Sequence, residues 1–496
     1  MTRHAHPKYE VVIGLEVHVH LRTESKLFSP APVRYGDPPN HAVHPIDLGL
    51  PGVLPVLNAK AVELGIRAAL ATHCKVHPRS IFARKNYFYP DLPKGYQISQ
   101  YEEPLATGGW LEIETAPTDG AEPVAARIGL TRIHMEEDAG KSIHDAAVAG
   151  ADGTHVDLNR AGVPLLEIVS EPDLRSPAEA GAYLRALHRI LRYAGVSDGD
   201  LEKGQFRCDA NLSLRPHGET RLGTRTELKN LNSFRFVEEA LRAEIARQAE
   251  LLDGGGRVQQ CTLQYDPERG TTRVMRLKEN ADDYRYFPDP DLIPLVIEEG
   301  EIEAVRRALP ELPEARRARF ESALGLSAYD ARLLADSRTV ADFFEAVVGE
   351  LGGGAKAAKS AANWVQRDVL QALGERGLEL ESTRLDARAL AKLIGMVEAG
   401  RVTAASARPL VAELLERGGD PEVLVRERGL EAVSDTGALE ATADEVIAAH
   451  PVVVEQVRAG EDKGLNFLMG QIMKRTKGKA SPAAAREVLL RRLRGG

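Results

Sequence analysis

Acidic side chains stand inside or directly after apolar stretches at three separate places in the sequence. Glu16 and His18 alternate with apolar residues near the N-terminus, Glu137 belongs to a row of three acids, and Glu167 interrupts an apolar run. Carboxylates that gather in one cavity repel each other and take up protons unless a cation neutralises them. Oxygen ligands suit Mg²⁺, so the three segments together predict a metal site. Glu167 taken alone is explained equally well by a buried glutamate that pairs with an arginine.

A nucleotide bound near this site needs groups that hold its phosphates. The tripeptide Gly140-Lys141-Ser142 resembles the end of a G-x-x-x-x-G-K-[ST] phosphate loop, but the position of the first glycine is Met135. The glycine-rich cradle is therefore missing, and ATP phosphates must be held by metal and by basic side chains on a sheet. The basic candidates, each of which taken alone is more often part of a surface salt bridge, are Lys85, Lys94, Arg207, Lys229, Arg276 and Arg285.

Strands and helices with clear signals must position these residues. Apolar residues at every odd position of Val11–Leu21 predict a strand with one packed face, on which Glu16 and His18 point together to the open side. The string after Ser176 predicts a helix that begins with a serine cap and ends near Ala194. A second long helix is predicted after Ser233. Because strands and hairpins do not alternate regularly with helices, the first domain is predicted to be α+β.

The chain changes character near residue 295, where prolines predict an extended linker. Later residues have helical spacing and few strand-like runs. We therefore predict three domains, at 1–295, 296–405 and 406–496. The last one ends in a segment, 471–496, with one acid, Glu487, and eight basic residues, which a solvated helix face explains as readily as a binding surface: Lys474, Arg475, Lys477, Lys479, Arg486, Arg491, Arg492 and Arg494.

The composition limits the class of protein. A formal net charge of −9 argues against a protein that coats nucleic acid over its whole surface, although it permits a local basic patch. The sequence has no apolar run long enough to span a membrane and no signal-peptide pattern at its start, which predicts a cytoplasmic protein without membrane contacts. The three cysteines are far apart and contain no C-x-x-C pair, so plain buried thiols are expected.

Seven strings, in order along the chain, resemble the family of the B subunit of aspartyl/glutamyl-tRNA(Asn/Gln) amidotransferase, known as GatB. The resemblance covers essentially the whole chain, and seven ordered matches are far more specific than any one motif. The strings are residues 12–18 (VIGLEVH), 49–55 (GLPGVLP), 84–91 (RKNYFYPD), 134–142 (HMEEDAGKS), 167–173 (EIVSEPD), 207–211 (RCDAN) and 283–288 (DYRYFP).

The resemblance implies a fold and a set of ligands. By similarity, the first domain is a large antiparallel-sheet cradle related in fold to glutamine synthetase, followed by an all-α helical domain and a small YqeY-like tail that contacts tRNA. The implied cofactors are ATP and Mg²⁺. The residues that match the metal ligands of the family are His18, Glu137 and Glu167, with Glu16 close by and Glu136 included among the predicted metal-binding residues.

The resemblance also implies a reaction and its partners. The chain would phosphorylate the side-chain carboxylate of misacylated Glu-tRNA(Gln) or Asp-tRNA(Asn), and ammonia would then form the amide. The sequence has no Ser-Ser-Lys amidase pattern, so ammonia is expected from the amidase, or A, subunit, with the small C subunit bracing the complex. A non-discriminating aminoacyl-tRNA synthetase is a further expected partner. The predicted catalytic residues are Glu16, His20, His134 and Lys141.

One departure from many relatives concerns zinc. Those relatives carry four cysteines where this sequence has Ser29, Ala31, His44 and Asp47, so no zinc is expected here. Two other functions fit part of the pattern. A stand-alone carboxylate–amine ligase acting on a free metabolite would use the same metal and ATP, although it would not need the basic tail. A non-catalytic tRNA-binding scaffold would not need the acidic residues.

Overall fold

The first predicted strand is β1 (Tyr9–His20) in the computed structural model of the chain. The structure describes residues 6–115, 125–143, 153–231, 233–277, 284–432, 436–458, 462–476 and 479–493. Alternate side chains of β1 from Val11 to Val19 are buried, whereas Glu16, His18 and His20 are only partly buried. The prediction of one packed face and one open face is confirmed.

Most strands of the described residues join one large sheet. The strands are β1, β2 (Lys75–Val76), β3 (Arg79–Ser80), β4 (Ala83–Asn86), β5 (Tyr96–Ser99), β6 (Ala106–Glu114), β7 (Ala125–Glu137), β8 (Lys141–Ile143), β9 (His155–Asp157), β10 (Pro164–Ser170), β11 (Phe206–Pro216), β12 (Thr226–Leu231), β13 (Cys261–Asp266), β14 (Thr271–Leu277), β15 (Phe287–Pro288) and β16 (Leu295–Val296). Nine of them form a sheet in the order β14-β13-β12-β11-β1-β10-β7-β6-β2. All of its pairs are antiparallel except β12 with β13.

Two features of this sheet position the site. β1 lies inside the sheet, between β11 and β10, although both neighbours come more than a hundred residues later in the chain. A smaller sheet, in the order β15-β4-β5, packs near the end of β7. Two further two-stranded sheets pair β16 with β3 and β8 with β9.

Helices cover the apolar face of the large sheet. α1 (Ala59–Ala71), α2 (Pro177–Tyr193) and α3 (Phe234–Asp253) share one hydrophobic core with the buried residues of β1, β7, β10 and β11. Burial of this much apolar surface is the main stabilising contribution to the unit. The opposite face of the sheet carries the polar residues of β1.

The two predicted helices begin where their caps indicated. The Ser176 hydroxyl accepts a hydrogen bond from the backbone N–H of Glu179, at 3.1 Å. The Glu179 carboxylate accepts one from the N–H of Arg175, the residue before the cap, rather than from the cap itself. Ser233 caps α3 through the N–H of Phe236, at 3.1 Å. Both predicted helices are confirmed, and α2 ends at Tyr193, before the glycine that was expected to stop it.

The first compact unit continues to Leu312, beyond the predicted boundary at 295. The segment predicted to be a linker is part of this unit because the buried Asp289 carboxylate accepts a hydrogen bond from Arg84, at 2.8 Å. α4 (Glu299–Ala308) follows, and its buried Ile302 and Val305 belong to the same core as α1. The proline-containing segment is therefore held by tertiary contacts that composition does not indicate.

The second compact unit, residues 313–496, is helical in its described part. Its helices are α5 (Pro313–Leu324), α6 (Ala328–Leu334), α7 (Arg338–Glu350), α8 (Gly354–Trp364), a π-helix (Val365–Leu370), α9 (Gln371–Arg376), a 3₁₀ turn (Leu380–Ser382), α10 (Ala387–Glu398), α11 (Ala404–Arg417), α12 (Pro421–Glu427), α13 (Thr436–Ala449), α14 (Pro451–Arg458), α15 (Asp462–Arg475) and α16 (Pro482–Leu493). Two hydrophobic cores divide between Leu430 and Leu439. The predicted boundary at 405 lies inside α11, which packs in the first of these cores.

The C-terminal basic residues differ in their surroundings. Lys474 and Arg486 are exposed, whereas Arg492 pairs with Glu440 at 3.0 Å and Arg491 contacts the same carboxylate. Lys477 and Arg494 lie outside the described residues. Part of the basic charge of this segment therefore neutralises acids within its own helical bundle.

Three smaller expectations concern cysteines, the zinc positions and membranes. Cys74, Cys208 and Cys261 are free and buried, as predicted. At the positions where relatives carry zinc-binding cysteines, the buried Asp47 carboxylate pairs with Lys26 at 2.9 Å. Among the described residues, no helix has both the length and the apolar character needed to cross a membrane.

Candidate functional site

One row of polar residues crosses four neighbouring strands on the open face of the large sheet. His18 of β1 lies opposite Glu167 of β10 on one side and opposite Arg207 of β11 on the other. Glu167 in turn lies opposite His134 of β7. Because directly opposite residues of antiparallel strands share a face, these four side chains project into the same space. The row is assembled from segments that are far apart in sequence.

His18, Glu136 and Glu167 form a group of potential metal ligands. One ligand atom from each of the three residues can be chosen so that all three atoms lie within 4.8 Å of one another. His18 Nε2 is 3.3 Å from a Glu167 oxygen and 3.9 Å from a Glu136 oxygen. Both carboxylates are buried, with 3% and 7% of their surface exposed. Two carboxylates and one imidazole are a donor set that fits a divalent cation such as Mg²⁺ or Mn²⁺.

The charges of these groups support the same assignment. Burial by itself would raise the pKa of Glu136 and of Glu167, but the nearby His134 and Lys85, with His18 acting on Glu167, outweigh it and lower the pKa of both carboxyls. Burial would lower the pKa of His18, yet its hydrogen bond with Glu167 and the neighbouring carboxylates raise it. The carboxylates are therefore ionised, which is the form that binds metal.

The structure brings Glu136, rather than Glu137, to His18 and Glu167. Successive residues of a strand point to opposite faces, so only one of two adjacent glutamates can face the polar row. Glu137 instead contacts the Lys94 ammonium and accepts a hydrogen bond from the N–H of Ile98, at 3.0 Å. Glu137 and Lys94, predicted to bind metal and phosphate respectively, thus form a buried pair with each other.

His134 lies between the two cluster carboxylates. Its Nδ1 accepts a hydrogen bond from Arg132 Nε at 3.2 Å, which places the proton of the neutral ring on Nε2. That Nε2 is 3.8 Å from Glu136 and 3.6 Å from Glu167. His134 is therefore suited to orient the carboxylates, a role that differs from the predicted contact with ammonia.

Asp138 is a site residue that the sequence reasoning missed. One of its carboxylate oxygens is 2.7 Å from His20 Nε2 and 2.7 Å from Arg207 Nη2. Burial opposes ionisation, but Arg207, Arg160 and His20 lower the pKa of this carboxyl. Asp138 fixes two predicted residues, His20 and Arg207. The signal was available, because Asp138 shares the parity of His134 and Glu136 along the chain.

Among the predicted phosphate-binding residues, Lys85 has the closest electrostatic link to the cluster. Burial opposes its charge, but the carboxylates of Glu136 and Glu167 help to raise the pKa of the ammonium. Its Nζ also lies over the Tyr284 ring, 5.1 Å from the centroid. Lys85 therefore remains a cation beside the two carboxylates.

Glu16 and Lys229 belong to a second polar group on the same face. Lys229 Nζ is 2.6 Å from Asp209, which lies opposite Glu16. Glu16 accepts a hydrogen bond from Asn211 at 2.8 Å. Lys229 is thus largely neutralised by acids of the sheet.

Three other predicted residues are not brought to the cluster by any contact that the structure describes. Lys141 is exposed in β8, opposite Asp157. Arg285 is exposed, and its carbonyl accepts a hydrogen bond from Asn86 at 2.9 Å. Arg276 lies in β14 opposite Thr262, and its side chain is outside the described part.

Comparison with known proteins decides the family. A family model described as the GatB/GatE catalytic domain matches residues 11–303, which include every residue of the cluster. A second one, described as a GatB domain, matches residues 342–493. The chain belongs to the GatB family. The resemblance drawn from the seven strings is confirmed.

Curated members of the GatB family are similar over nearly their whole length. The B subunit of aspartyl/glutamyl-tRNA(Asn/Gln) amidotransferase from Geobacter sulfurreducens is 53% identical over 487 residues, covering 98% of this chain and 100% of that protein. The proteins of the same name from Anaeromyxobacter sp. and Alkalilimnicola ehrlichii are 53% and 52% identical, each with 98% of this chain and 99% of the relative covered. The GatB relatives are thus parts of an amidotransferase by name, and the mixed α and β architecture extends across both matched domains.

Proposed function

We propose that this chain activates the side-chain carboxylate of Glu or Asp carried on a misacylated tRNA, so that ammonia can convert it to the amide. The observation that carries the proposal is the convergence of His18, Glu136 and Glu167, with Lys85 beside them, on one face of the sheet. The names of the relatives indicate the substrate class, aspartyl or glutamyl groups on tRNA(Asn) or tRNA(Gln).

The chemistry requires that the carboxylate lose its charge. In the proposed first step, the carboxylate oxygen bonds to the γ-phosphorus of ATP, and the bond from that phosphorus to the β-phosphate bridging oxygen breaks, giving ADP and an acyl phosphate. Ammonia then bonds to the acyl carbon, the carbon–oxygen bond to phosphate breaks, and the amine loses a proton. When held by His18, Glu136 and Glu167, a divalent cation such as Mg²⁺ would supply positive charge for phosphate oxygens.

The residues of the chain have separate tasks in this proposal. Lys85 supplies positive charge where phosphate oxygens gather, and Arg207, held by Asp138, adds a second basic group. His134 keeps the two carboxylates of the cluster in place. Glu16 and His20, on the same strand as His18, remain candidates for contact with the reacting groups, and Lys141 stays a candidate on sequence grounds alone.

Partners follow from the division of labour. The relatives are named as one of several subunits, which places them in a multi-subunit enzyme. We propose that the amidase, or A, subunit supplies ammonia from glutamine, that the small C subunit braces the complex, and that a non-discriminating aminoacyl-tRNA synthetase supplies the substrate. The complex would act in the cytoplasm and without zinc. In this proposal the first domain is a glutamine-synthetase-like cradle, which its predominantly antiparallel sheet with an open polar face supports.

The C-terminal helices are proposed to be a YqeY-like tail that contacts the tRNA. The exposed Lys474 and Arg486 support this role, since tRNA backbone phosphates are bound chiefly by basic side chains that are not already paired with acids. Arg491 and Arg492 contribute less in this proposal because both contact Glu440.

The test is amidation by the complex assembled with its partner subunits. Wild type, Glu136→Gln and Glu112→Gln are compared with ATP, misacylated tRNA and ammonium chloride, which removes the need for glutamine hydrolysis. We expect Glu136→Gln to lose at least about a hundredfold in turnover. Glu112→Gln, which changes an exposed glutamate paired with Arg127, serves as the matched control and should retain full turnover.

Two outcomes would contradict the proposal. Full turnover by Glu136→Gln would show that the cluster is not part of the reaction and would favour the non-catalytic scaffold. ATP hydrolysis stimulated by free glutamate in the absence of tRNA would favour the stand-alone ligase.

A further inference from the structure

An open groove with aromatic walls lies on the small sheet, outside the site described above. About 380 Å³ of empty space lies between the strands and the segments that follow them. Tyr101 and Tyr286 stack face to face on one side, with ring centroids 4.2 Å apart and planes inclined by 8°. Tyr101 and Phe287 keep 40% and 45% of their surface exposed. Ala83 and Pro288 contribute further apolar surface to the groove.

The groove and the metal-ligand cluster are on the same face of this small sheet. Ser99 of β5 lies opposite Ala83 of β4, so the two side chains share a face. The Ser99 hydroxyl donates a hydrogen bond to Glu136 at 2.9 Å, whereas Ala83 lines the groove. Tyr101 follows Ser99 by two residues, a spacing of about 6–7 Å in extended chain. The groove therefore begins within one or two residue spacings of a cluster carboxylate.

Tyr286 connects the two regions. Its ring lines the groove and stacks on Tyr101, and its neighbour Tyr284 lies under the Lys85 ammonium. Burial, with Glu136 and Glu167 nearby, raises the pKa of Tyr286 to about 12, although Lys85 opposes the shift. The phenol is therefore a protonated donor between the groove and the charged cluster.

We propose that this groove binds the purine base of the nucleotide whose phosphates lie at the His18, Glu136 and Glu167 cluster. The inference rests on the proposed function, which places a nucleoside triphosphate at that cluster. Aromatic rings that are partly exposed offer stacking surface for a base, and every base has a π-face to stack. Glu102 and Glu103 at the rim offer carboxylate oxygens to the amino group of the base.

The spacing favours a nucleotide over a free phosphate or metabolite. A base and its phosphates are separated by a ribose, which spans the short distance between Tyr101 and the partner of Glu136. The terminal adenosine of the tRNA substrate has the same chemistry as the base of ATP. The two sources make different predictions, because the tRNA adenosine would be lost from the groove without any change in the use of ATP.

The experiment compares Phe287→Ala and Tyr101→Ala in the assembled complex with wild type. The Michaelis constants for ATP and for misacylated tRNA are measured separately, with ammonium chloride as the nitrogen source. We expect the KM for ATP to rise about tenfold in each variant, since base stacking on one ring is lost. The turnover number, the KM for tRNA and inhibition by inorganic tripolyphosphate, which has no base, should stay unchanged.

Phe88→Ala is the matched control, because Phe88 is 86% exposed and does not line the groove. An unchanged KM for ATP in both groove variants would overturn the inference. A rise in the KM for tRNA alone would also overturn it, in favour of the terminal adenosine. Failure of the proposed function appears elsewhere, as undiminished turnover of Glu136→Gln, and is therefore distinguishable. Thermal unfolding of each variant shows whether a change in KM reflects the groove or a loss of folded protein.

Discussion

Buried charges are arranged differently in the two compact units. In the helical unit, Arg316 is buried and contacts Asp342 at 2.6 Å and Glu345, while Arg319 reaches Glu345 at 2.6 Å. Each acid there has an arginine partner on a neighbouring helix. In the first unit, Glu136 and Glu167 lie close together among two imidazoles and one ammonium. The only arginine that reaches them in the described residues, Arg132, is 3.5 Å from Glu167.

The difference separates two uses of buried charge. Matched arginine and carboxylate pairs hold helices in register and leave no charge for a ligand. Like charges gathered in one place cost free energy in the folded protein unless a cation arrives. The comparison therefore predicts that substitutions in the first cluster change ligand affinity and that substitutions in the second change stability.

The largest expected effect comes from Glu136→Gln. Loss of a direct ligand should weaken Mn²⁺ binding by more than the roughly 10–100-fold that follows from the loss of a residue behind the ligands. Isothermal titration with Mn²⁺ measures the effect without any need for activity. Glu137→Gln changes the adjacent glutamate, which faces Lys94, and should retain the wild-type affinity. Equal losses in both variants would remove the distinction between the two glutamates.

His134→Asn should have an intermediate effect on the same measurement. The imidazole supports Glu136 and Glu167 without being one of the three potential ligands, so Mn²⁺ affinity should fall by roughly 10–100-fold. Unfolding free energy should change much less than affinity. If His134→Asn matched Glu136→Gln in affinity, His134 would have to be counted as a ligand.

Arg316→Met should leave Mn²⁺ affinity unchanged and lower the stability of the helical unit by about 1–3 kcal/mol. The chain has two tryptophans, Trp110 in the first unit and Trp364 in the second, so Trp110→Phe leaves one reporter for the helical unit. Urea unfolding followed by Trp364 fluorescence measures the change. Arg319→Met, at a more exposed arginine of the same cluster, should cost less. A loss of metal affinity in Arg316→Met would erase the contrast between the units.

The smallest expected effect is the pH dependence due to Glu345. Burial opposes its ionisation, but Arg319 and Arg316 lower its pKa in the folded chain. Its contribution to stability is therefore fully present above the unfolded value of about 4.3 and is lost as the pH falls through the lower, folded pKa. Because Glu345 is partly exposed, the difference between wild type and Glu345→Gln should stay near or below about 1 kcal/mol at pH 7. The Trp364 reporter should show this difference shrinking below pH 4.

Alternation along single strands made much of the site predictable. The parity of Val11–Leu21 placed Glu16, His18 and His20 on the open face, and the same parity in β7 puts His134, Glu136 and Asp138 together. Parity also left Glu137 on the side of Ile133 and Met135, which the structure agrees with. The resemblance to the family pointed to Glu137 instead, and the physical pattern of the strand was the better guide to the cluster.

Contacts between distant segments could not be predicted. Lys94 pairs with Glu137 although 43 positions separate them, and no local pattern indicates that pairing. The first unit extends to Leu312 because α4 returns to α1, which a proline-rich segment beforehand does not reveal. Lys141 and Arg285 were selected by residue type and neighbouring motifs, and both are exposed. Charge and motif identify candidates, whereas long-range packing decides which of them meet.

The central position of β1 also has a consequence for biosynthesis. The ribosome makes β1 first, yet its two neighbours, β10 and β11, emerge only after residues 164 and 206. Throughout that interval the nascent chain carries a strand of alternating valine, isoleucine and leucine with both edges unpaired, which is a template for aggregation. Truncated products that stop before β10 should therefore require chaperones, and no part of the metal site can form until most of the first unit has been translated.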